Sequence, residues 1–527
     1  MKQFIQKFAD RVDGILCGFD RLVMRGELRA LYIGDGGGIE QYLRSSQVMY
    51  TDFRSHVLQV SRRLKEASLA TAMELGRIVR YVPPSENKQQ IARQIAAEQK
   101  IDSGLVCVLT SVEPCMSFQA VPNGATKRVD FKLEQRQCLH LYLYHYLIHP
   151  RFGFLNARIQ TWFPFRIQVC LNGREWLARQ MDGSGLRYLR QDNCFPWIED
   201  FPRAQKLMDE QLSTDWTQAL ESIRCVLNPI HEEIFQHFHV NYYWTTHASE
   251  WAMDFRFRKA DDLKRLYPAL LRHAITTFGS PDVLRFLGKR VRLDGQVPQA
   301  YQGELFSDIK QRPEGIRIKH HMDSNSLKMY DKAYTEQGSL LRLEATINNV
   351  KPFQSYRPKE GDPDGALAWR VMRRGVADMY RRSEVWQKAL ERYAAALASV
   401  DDSRRLQELT QDLERRTIWN GRPVRGLRLL GEDNGLLMAI SRGEYSLNGF
   451  RNRDLQQTLW RDEATDPKQA KQRCACVSRK LRMLRAHGLI KKVSHTHRYL
   501  LTEHGRVVLT ALSAAQSATV AQLSRAA

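Results

Sequence analysis

NGLLMAISRGEYSLNGFRNRDLQQTLW (434–460) and KQRCACVSRKLRMLRAHGLIKKVSHTHRYLLTEHGRVVLTAL (471–512) decide the fold of the C-terminal part of the chain. The first stretch reads as an amphipathic helix on Leu436, Leu437 and Ile440, a short strand from Tyr445 to Leu447, and a helix from Asn452 to Trp460. The second opens with a longer helix around Val477 to His487, which Gly488 stops as glycine does at a helix C-terminus. Leu489-Ile490 then starts a strand, SHTHRY makes a polar turn with a basic tip, Tyr499-Leu500-Leu501 returns, and a last helix begins at Glu503. Between Lys468 and Arg498 stand ten cations, Lys468, Lys471, Arg473, Arg479, Lys480, Arg482, Arg485, Lys491, Lys492 and Arg498, with no Asp or Glu among them. A stripe without counter-charge is what phosphate contact requires.

That order of elements is the grammar of a winged helix, and LRMLRAHGLIKKV with HRYLLTEHGRVVL resembles the second half of MarR-like winged-helix domains. The resemblance covers some 80 residues of the C-terminal part. It implies a recognition helix in the major groove of DNA and a wing against the backbone.

Composition sets the frame. At 527 residues the chain exceeds one core, and a net charge of +22 with 43% apolar residues describes a globular protein that attracts polyanions. Nucleic acid is the expected partner and a membrane is not, because no uncharged run of 18 apolar residues occurs. MKQFIQKFADRVDGIL carries Asp10 and Asp13 where a signal peptide would be apolar, so it reads as the first helix of a cytoplasmic protein. Nine cysteines without a C-x-x-C pair read as reduced core thiols. In QCLHLYLYHYLIHP, period two puts Cys138 and His140 on one strand face and His145 and His149 on the other, which rules against a shared metal.

The expected architecture is α+β and multidomain. A mainly helical N-terminal domain (1–119) holds one β-α-β unit, and two central ferredoxin- or palm-like sheet domains (120–234 and 235–355) follow. A helical connector (366–417) behind the linker YRPKEGDPDG leads past a second linker, TIWNGRPVRG, to the winged helix (431–527). The glycine run Gly34 to Gly38 lacks the following Lys-Ser/Thr of a phosphate loop and reads as a turn.

In the first sheet, leucines alternate with polar residues, leaving a face of Tyr142, Tyr144, Arg158, Gln160, Arg166 and Gln168. Such a face can stack and hydrogen-bond single-stranded nucleic acid, or it can lie under helices that use the tyrosines for packing. In SLKMYDKA and LLRLEATIN, Lys328 and Tyr330 on one strand and Arg342 and Glu344 on the next share outward positions. Tyrosine can attack phosphorus, a carboxylate can hold Mg²⁺ or Mn²⁺ or take a proton, and cations can stabilise developing charge. Asp254 in WAMDFRF offers a second carboxylate for a metal pair; the competing reading is a ladder of cross-strand salt bridges. No organic cofactor is expected.

The YDK segment with the R-x-E strand resembles plasmid and filamentous-phage rolling-circle replication initiators over about 30 residues. That likeness implies an enzyme of a mobile genetic element, with a His-hydrophobic-His metal strand and a nicking tyrosine. His237-Phe238-His239 has the spelling, although it falls where a helix ends rather than inside a strand. The QTWFPF turn, CLNGREWLARQMD and the YDK/R-x-E hairpin together resemble an uncharacterised bacterial protein group, which implies no activity. The sequence thus points to a nucleic-acid-binding protein, compatible with self-association and with phosphodiester cleavage as a strand-nicking initiator, a transposase-like protein or a nuclease. The alternative is a non-enzymatic regulator or the protein part of an RNA–protein complex.

Overall fold

The computed structural model describes residues 1–517 except 33–36, 126–127, 288–304, 314, 323, 352, 360–361, 363, 401–405, 442–448, 461, 463 and 494–495. The strand expected from Tyr445 to Leu447, most of the glycine run at Gly34 and part of the SHTHRY turn lie outside the described residues. The fold is mixed α+β. Its strands, in chain order, are β1 (Val12–Glu27), β2 (Ile78–Tyr81), β3 (Gly104–Asn123), β4 (Arg128–His149), β5 (Gly153–Gln160), β6 (Ile167–Asn172), β7 (Tyr188–Gln191), β8 (Cys194–Ile198) and β9 (Tyr243–Phe257). Then come β10 (Leu305–Arg312), β11 (Gly315–Met322), β12 (Asn325–Thr335), β13 (Gly338–Ile347), β14 (Gln354–Arg357), β15 (Ala368–Val371), β16 (Thr417–Trp419), β17 (Arg422–Val424), β18 (Ile490–Lys492) and β19 (Tyr499–Leu501).

Two compact units divide the chain, one of Gly14–Arg256 with Lys332–Trp386, the other of Met1–Asp13, Phe257–Asp331 and Gln387–Ala527. In the first, a mixed sheet runs in the order β13-β9-β1-β6-β5-β4-β3-β2, with β2 parallel to β3 and the pairs from β3 through β6 antiparallel. β3 and β4 pair from Gly104–Ile148 out to Asn123–Arg128, so the chain on either side of residue 119 shares one sheet.

β1 corrects the helical reading of MKQFIQKFADRVDGIL: within it only Lys2–Lys7 is helix, and VDGILCGFDRLVMRGE is a 16-residue strand, while the later helices Phe53–Glu74 and Lys88–Glu98 are present. The run Leu16 to Asp20 is buried at every position, which is how a strand covered on both faces reads, with no alternation to mark it. A Cβ at Gly14 would stand 2.7 Å from the Phe201 ring, and one at Gly18 would collide with Met208, so the helix Phe201–Asp209 lies directly on this strand.

Two expected linkers are hairpins. β14 and β15 pair antiparallel from Gln354–Val371 to Arg357–Ala368, so YRPKEGDPDG joins two strands, and the expected continuous helix from Leu367 begins only at Met379 (Met379–Leu397). TIWNGRPVRG folds as β16 and β17 around Asn420 and Gly421, whose φ of 50° and 70° suit the Asn-Gly hairpin turn.

The second unit contains the antiparallel meander β10-β11-β12 and the helix Ala260–Thr277, whose Tyr267 hydroxyl donates to the carbonyls of Ile316 (2.6 Å) and Met329 (3.2 Å). Its C-terminal segment has a core of its own, in which Leu436, Ile440, Phe450, Leu455, Val477, Leu481, Leu484, Leu489, Leu501 and Leu509 pack together. Among the described residues, no helix is long and apolar enough to cross a membrane.

Candidate nucleic-acid interface and acidic cluster

The helix Pro467–Ala486 starts at Asp466, whose side chain accepts from the Gln469 amide, with proline at the first helical position. Twenty residues give it a length of about 30 Å. Val477, Leu481 and Leu484 are its buried stripe, and at 100° per residue Lys468, Lys471, Arg479 and Arg482 fall on the opposite side, where all four are exposed. Among the described residues none of these four forms an ion pair. The helix is clamped from below: the Asn452 amide of the helix Asn452–Leu459 donates to the Cys474 carbonyl (3.0 Å) and the Ser478 hydroxyl (2.9 Å). Gly488, at φ 68°, turns the chain into β18. β18 and β19 pair as an antiparallel hairpin, and Phe450 joins Tyr499 through a single antiparallel bridge. Lys491 and Lys492 are exposed on that hairpin. Arg473, Lys480, Arg485 and Arg498 are half-buried: Arg473 donates to the Asp462 carbonyl (2.5 Å) and Arg485 lies 5.5 Å over the Trp419 ring. The expected cationic stripe therefore divides into exposed members and half-buried ones, of which Arg473 and Arg485 make contacts within the segment.

In the other unit, β1, β9 and β13 lie side by side and bring acidic and basic residues to one place. Asp254 accepts from Arg342 Nε (2.6 Å) and Nη2 (2.8 Å) and from Arg174 Nη2 (2.9 Å), and neither arginine has any exposed surface. Burial alone would push the Asp254 carboxyl up, but the charges of Arg342 and Arg174 and the hydrogen bonds to Arg342 outweigh it and hold the group below its usual range. Arg342 also reaches Asp20 (3.4 Å) and donates to the Asn193 carbonyl (2.7 Å). Arg174 is presented by the helix Gly173–Gly183, which starts where Asn172 caps the amides of Arg174 and Glu175. Asp254 is thus a counter-ion to two buried guanidiniums, the salt-bridge alternative to metal ligation.

Glu344 gathers differently. Its carboxylate and those of Asp20 and Glu250 bring ligand oxygens within 4.8 Å of one another, two of the residues buried and Glu250 half-buried. Among the described residues this is the one group of three acidic, histidine or cysteine side chains placed to share a cation. Arg21 approaches Glu250 at 3.7 Å and the Thr346 hydroxyl donates to it at 3.4 Å. An all-oxygen set suits Mg²⁺ or Mn²⁺.

Lys328 and Tyr330 belong to the other compact unit and are buried, as is every residue of β12 from Asn325 to Asp331. The alternation that assigned them an open face fails because both sides of this strand are covered. Asp331 of the YDK segment has a structural task, accepting the Ile316 amide at 2.6 Å. His237 and His239 are exposed in the turn and coil after the short helix His231–Ile234, outside any strand, and belong to no group of potential metal ligands among the described residues. Tyr242 is buried and donates to the Phe165 carbonyl (2.8 Å).

Of the two readings of the tyrosine face, the structure shows the covered one at Tyr142 and Tyr144, which leaves no open stacking platform there. Tyr142 and Tyr144 are each 9% exposed and pack with Ala92 and Ile95 of the helix Lys88–Glu98. The Tyr142 hydroxyl donates to Gln160 (3.2 Å), while Arg158 donates to the Tyr144 hydroxyl (2.6 Å) and pairs with Glu113 (2.8 Å). Gln160 is fully buried, Arg166 pairs with Glu27, and Gln168 accepts from Arg158 at 3.2 Å.

Sequence reasoning missed Asp20 and Glu250. Glu250 and Asp254 are four apart on one strand, a period-two relation that was available, but Asp20 sat in a segment read as helix. Compared with protein-family models, with curated proteins and with solved structures, the chain matches none.

Proposed function

We propose that the protein binds nucleic acid through a C-terminal winged helix, with the helix Pro467–Ala486 in the major groove of a duplex and the β18–β19 hairpin as the wing against its backbone. The supporting observation is the helix face of Lys468, Lys471, Arg479 and Arg482, exposed and without an acidic partner among the described residues. Helix, helix, helix, hairpin and helix, from Asn434 to Ser517, is the order that MarR-like domains use. Each phosphate neutralised releases condensed counterions, so affinity should fall steeply with salt. The test is a duplex-binding titration of the full chain beside a Lys471→Gln, Arg479→Gln, Arg482→Gln variant; equal binding by the two removes this helix from the interface.

A second reading has one observation in its favour. The oxygens of Asp20, Glu250 and Glu344 could hold Mg²⁺ or Mn²⁺, which when bound would polarise a phosphodiester and support strand cleavage. Arg342, in contact with Asp20, would fix the orientation of that carboxylate. The reading requires metal-dependent cutting of nucleic acid that Glu344→Gln abolishes while duplex binding stays.

A further inference from the structure

The covered tyrosines occupy only one end of their sheet face. Across β4, β5, β6 and β1 the register sets Tyr144 beside Arg158, Arg158 beside Gln168 and Gln168 beside Arg25, so one row runs from the helix-covered end onto β1. Arg166 adjoins the row, its main-chain carbonyl accepting from the Gln160 amide at 2.8 Å. On the β9 side, the Thr245 hydroxyl reaches the Arg25 carbonyl at 3.5 Å and His247 follows two residues later. Arg374 is brought in by its own carbonyl, which accepts from the Thr246 amide at 2.8 Å. Arg25, Arg158 and Arg166 are half-buried, while His247 and Arg374 are exposed.

The charge of this group is incompletely answered. Arg158 pairs with Glu113 and Arg166 with Glu27, but among the described residues no hydrogen bond or ion pair takes the side chain of Arg25 or Arg374. The Arg166 Nε is buried with no partner. Although part of the His247 side chain meets solvent, its imidazole registers the resulting field: partial desolvation by its neighbours first, then the charges of Arg25, Arg374, Arg158 and Arg166, push it down to about 4. Burial and the charge of Arg166 also lower Arg25. A fold gains nothing by crowding like charges, which cost free energy unless an anion answers them.

We propose that Arg25, Arg158, Arg166, His247 and Arg374 form a phosphate-binding shelf for the backbone of single-stranded nucleic acid, separate from the duplex-binding helix. Guanidinium forks match phosphate oxygens bidentately, and Gln168 stands in the same cross-strand row with Asn156 in the next row, paired to Cys170. Half-buried cations suit a flexible strand that can enter between side chains, whereas the exposed helix Pro467–Ala486 suits a rigid duplex. The proposal extends the nucleic-acid reading and rests on different residues.

The experiment uses the full chain with a labelled oligothymidylate, a duplex, and inorganic phosphate as competitor. Arg25→Gln with Arg374→Gln orphans no carboxylate and should weaken single-strand binding at least about tenfold, as loss of charge-assisted contacts predicts, with duplex binding unchanged. The variant Lys471→Gln, Arg479→Gln, Arg482→Gln should show the reverse. Should the double variant melt early, His247→Glu serves instead: an exposed carboxylate among arginines is tolerated by the fold yet repels phosphate. Single-strand binding that these changes leave intact, or its absence in the parent, overturns the proposal. So does full displacement by millimolar phosphate of a signal that oligonucleotide length does not strengthen, since it makes the shelf a site for free phosphate only. Loss of duplex binding alone counts against the winged-helix reading and leaves the shelf standing.

Discussion

Replacing Asp254 by Ala should damage the fold far more than any surface change, because it strands two buried cations. The carboxylate receives three charge-assisted hydrogen bonds, at 2.6, 2.8 and 2.9 Å. Without it, Arg342 keeps Asp20 and the Asn193 carbonyl, but Arg174 retains only a 4.0 Å approach to the Met208 sulfur, and its Nε already lacks a partner. Removing one member of a buried ion network typically costs about 3 to 5 kcal/mol, the desolvation of the groups left behind. For the unit of about 300 residues that holds Asp254, with an unfolding entropy of about 0.6 kcal/mol/K, that corresponds to a melting temperature lower by roughly 5 to 8 °C. Scanning calorimetry or urea unfolding followed by tryptophan fluorescence reads the loss. An apolar triple replacement, Arg174→Met, Asp254→Leu, Arg342→Met, should recover part of it, because no charge is then left uncompensated except Asp20 beside Asn193. An Asp254→Ala protein that melts like the parent and loses only nucleic-acid cleavage would refute the counter-ion role and return this carboxylate to catalysis.

Burial drives the His145 imidazole down to about 4, so its stability contribution is complete above the unfolded value near 6.5 and is lost as pH falls toward 4. Over that window the loss is about 3 kcal/mol, and His145→Gln should flatten the acid limb of the melting-pH profile while lowering the plateau at pH 8. At Gly173 an added Cβ would collide with the Phe19 carbonyl where the helix Gly173–Gly183 meets β1, so Gly173→Ala should destabilise by roughly 1 to 3 kcal/mol in urea unfolding; parental stability would show that the contact relaxes freely. If Asp20, Glu250 and Glu344 take Mn²⁺, saturating metal at about a hundred times its dissociation constant should stabilise by roughly 3 kcal/mol, and Glu250→Gln should remove the shift. A metal response that survives this change places the ion elsewhere.

Local periodicity was legible wherever one face of an element meets water. Pro467–Ala486 shows its buried Val477, Leu481 and Leu484 against exposed cations, so helix and charged face could both be read from spacing. The same alternation separated Leu143 from Tyr142 and Tyr144, yet spacing along β4 carries no record of the distant helix Lys88–Glu98 that covers the tyrosines. β1 escaped because a strand covered on both sides need not alternate, while β12 was legible as a strand but its alternation carried no sign that its polar face is covered too. The acidic group needed β9 to lie between β13 and β1, an order fixed by tertiary packing across some 320 residues of chain between Asp20 and Glu344. Arg382 shows the same limit: it stands in the arginine-rich run RRGVADMYRR (373–382), whose composition suggests a solvated face, yet it is fully buried and donates to the Arg373 carbonyl at 2.8 Å.

The most direct test of nucleic-acid binding through the C-terminal segment is the salt dependence of duplex affinity, measured by fluorescence anisotropy on the full chain. If Lys468, Lys471, Arg479, Arg482, Lys491 and Lys492 all meet phosphates, log affinity should fall against log salt with a slope of about −5. The Lys471→Gln, Arg479→Gln, Arg482→Gln variant should flatten that slope by about 3 while melting like the parent. An identical slope in parent and variant, or no duplex binding at low salt, contradicts the account.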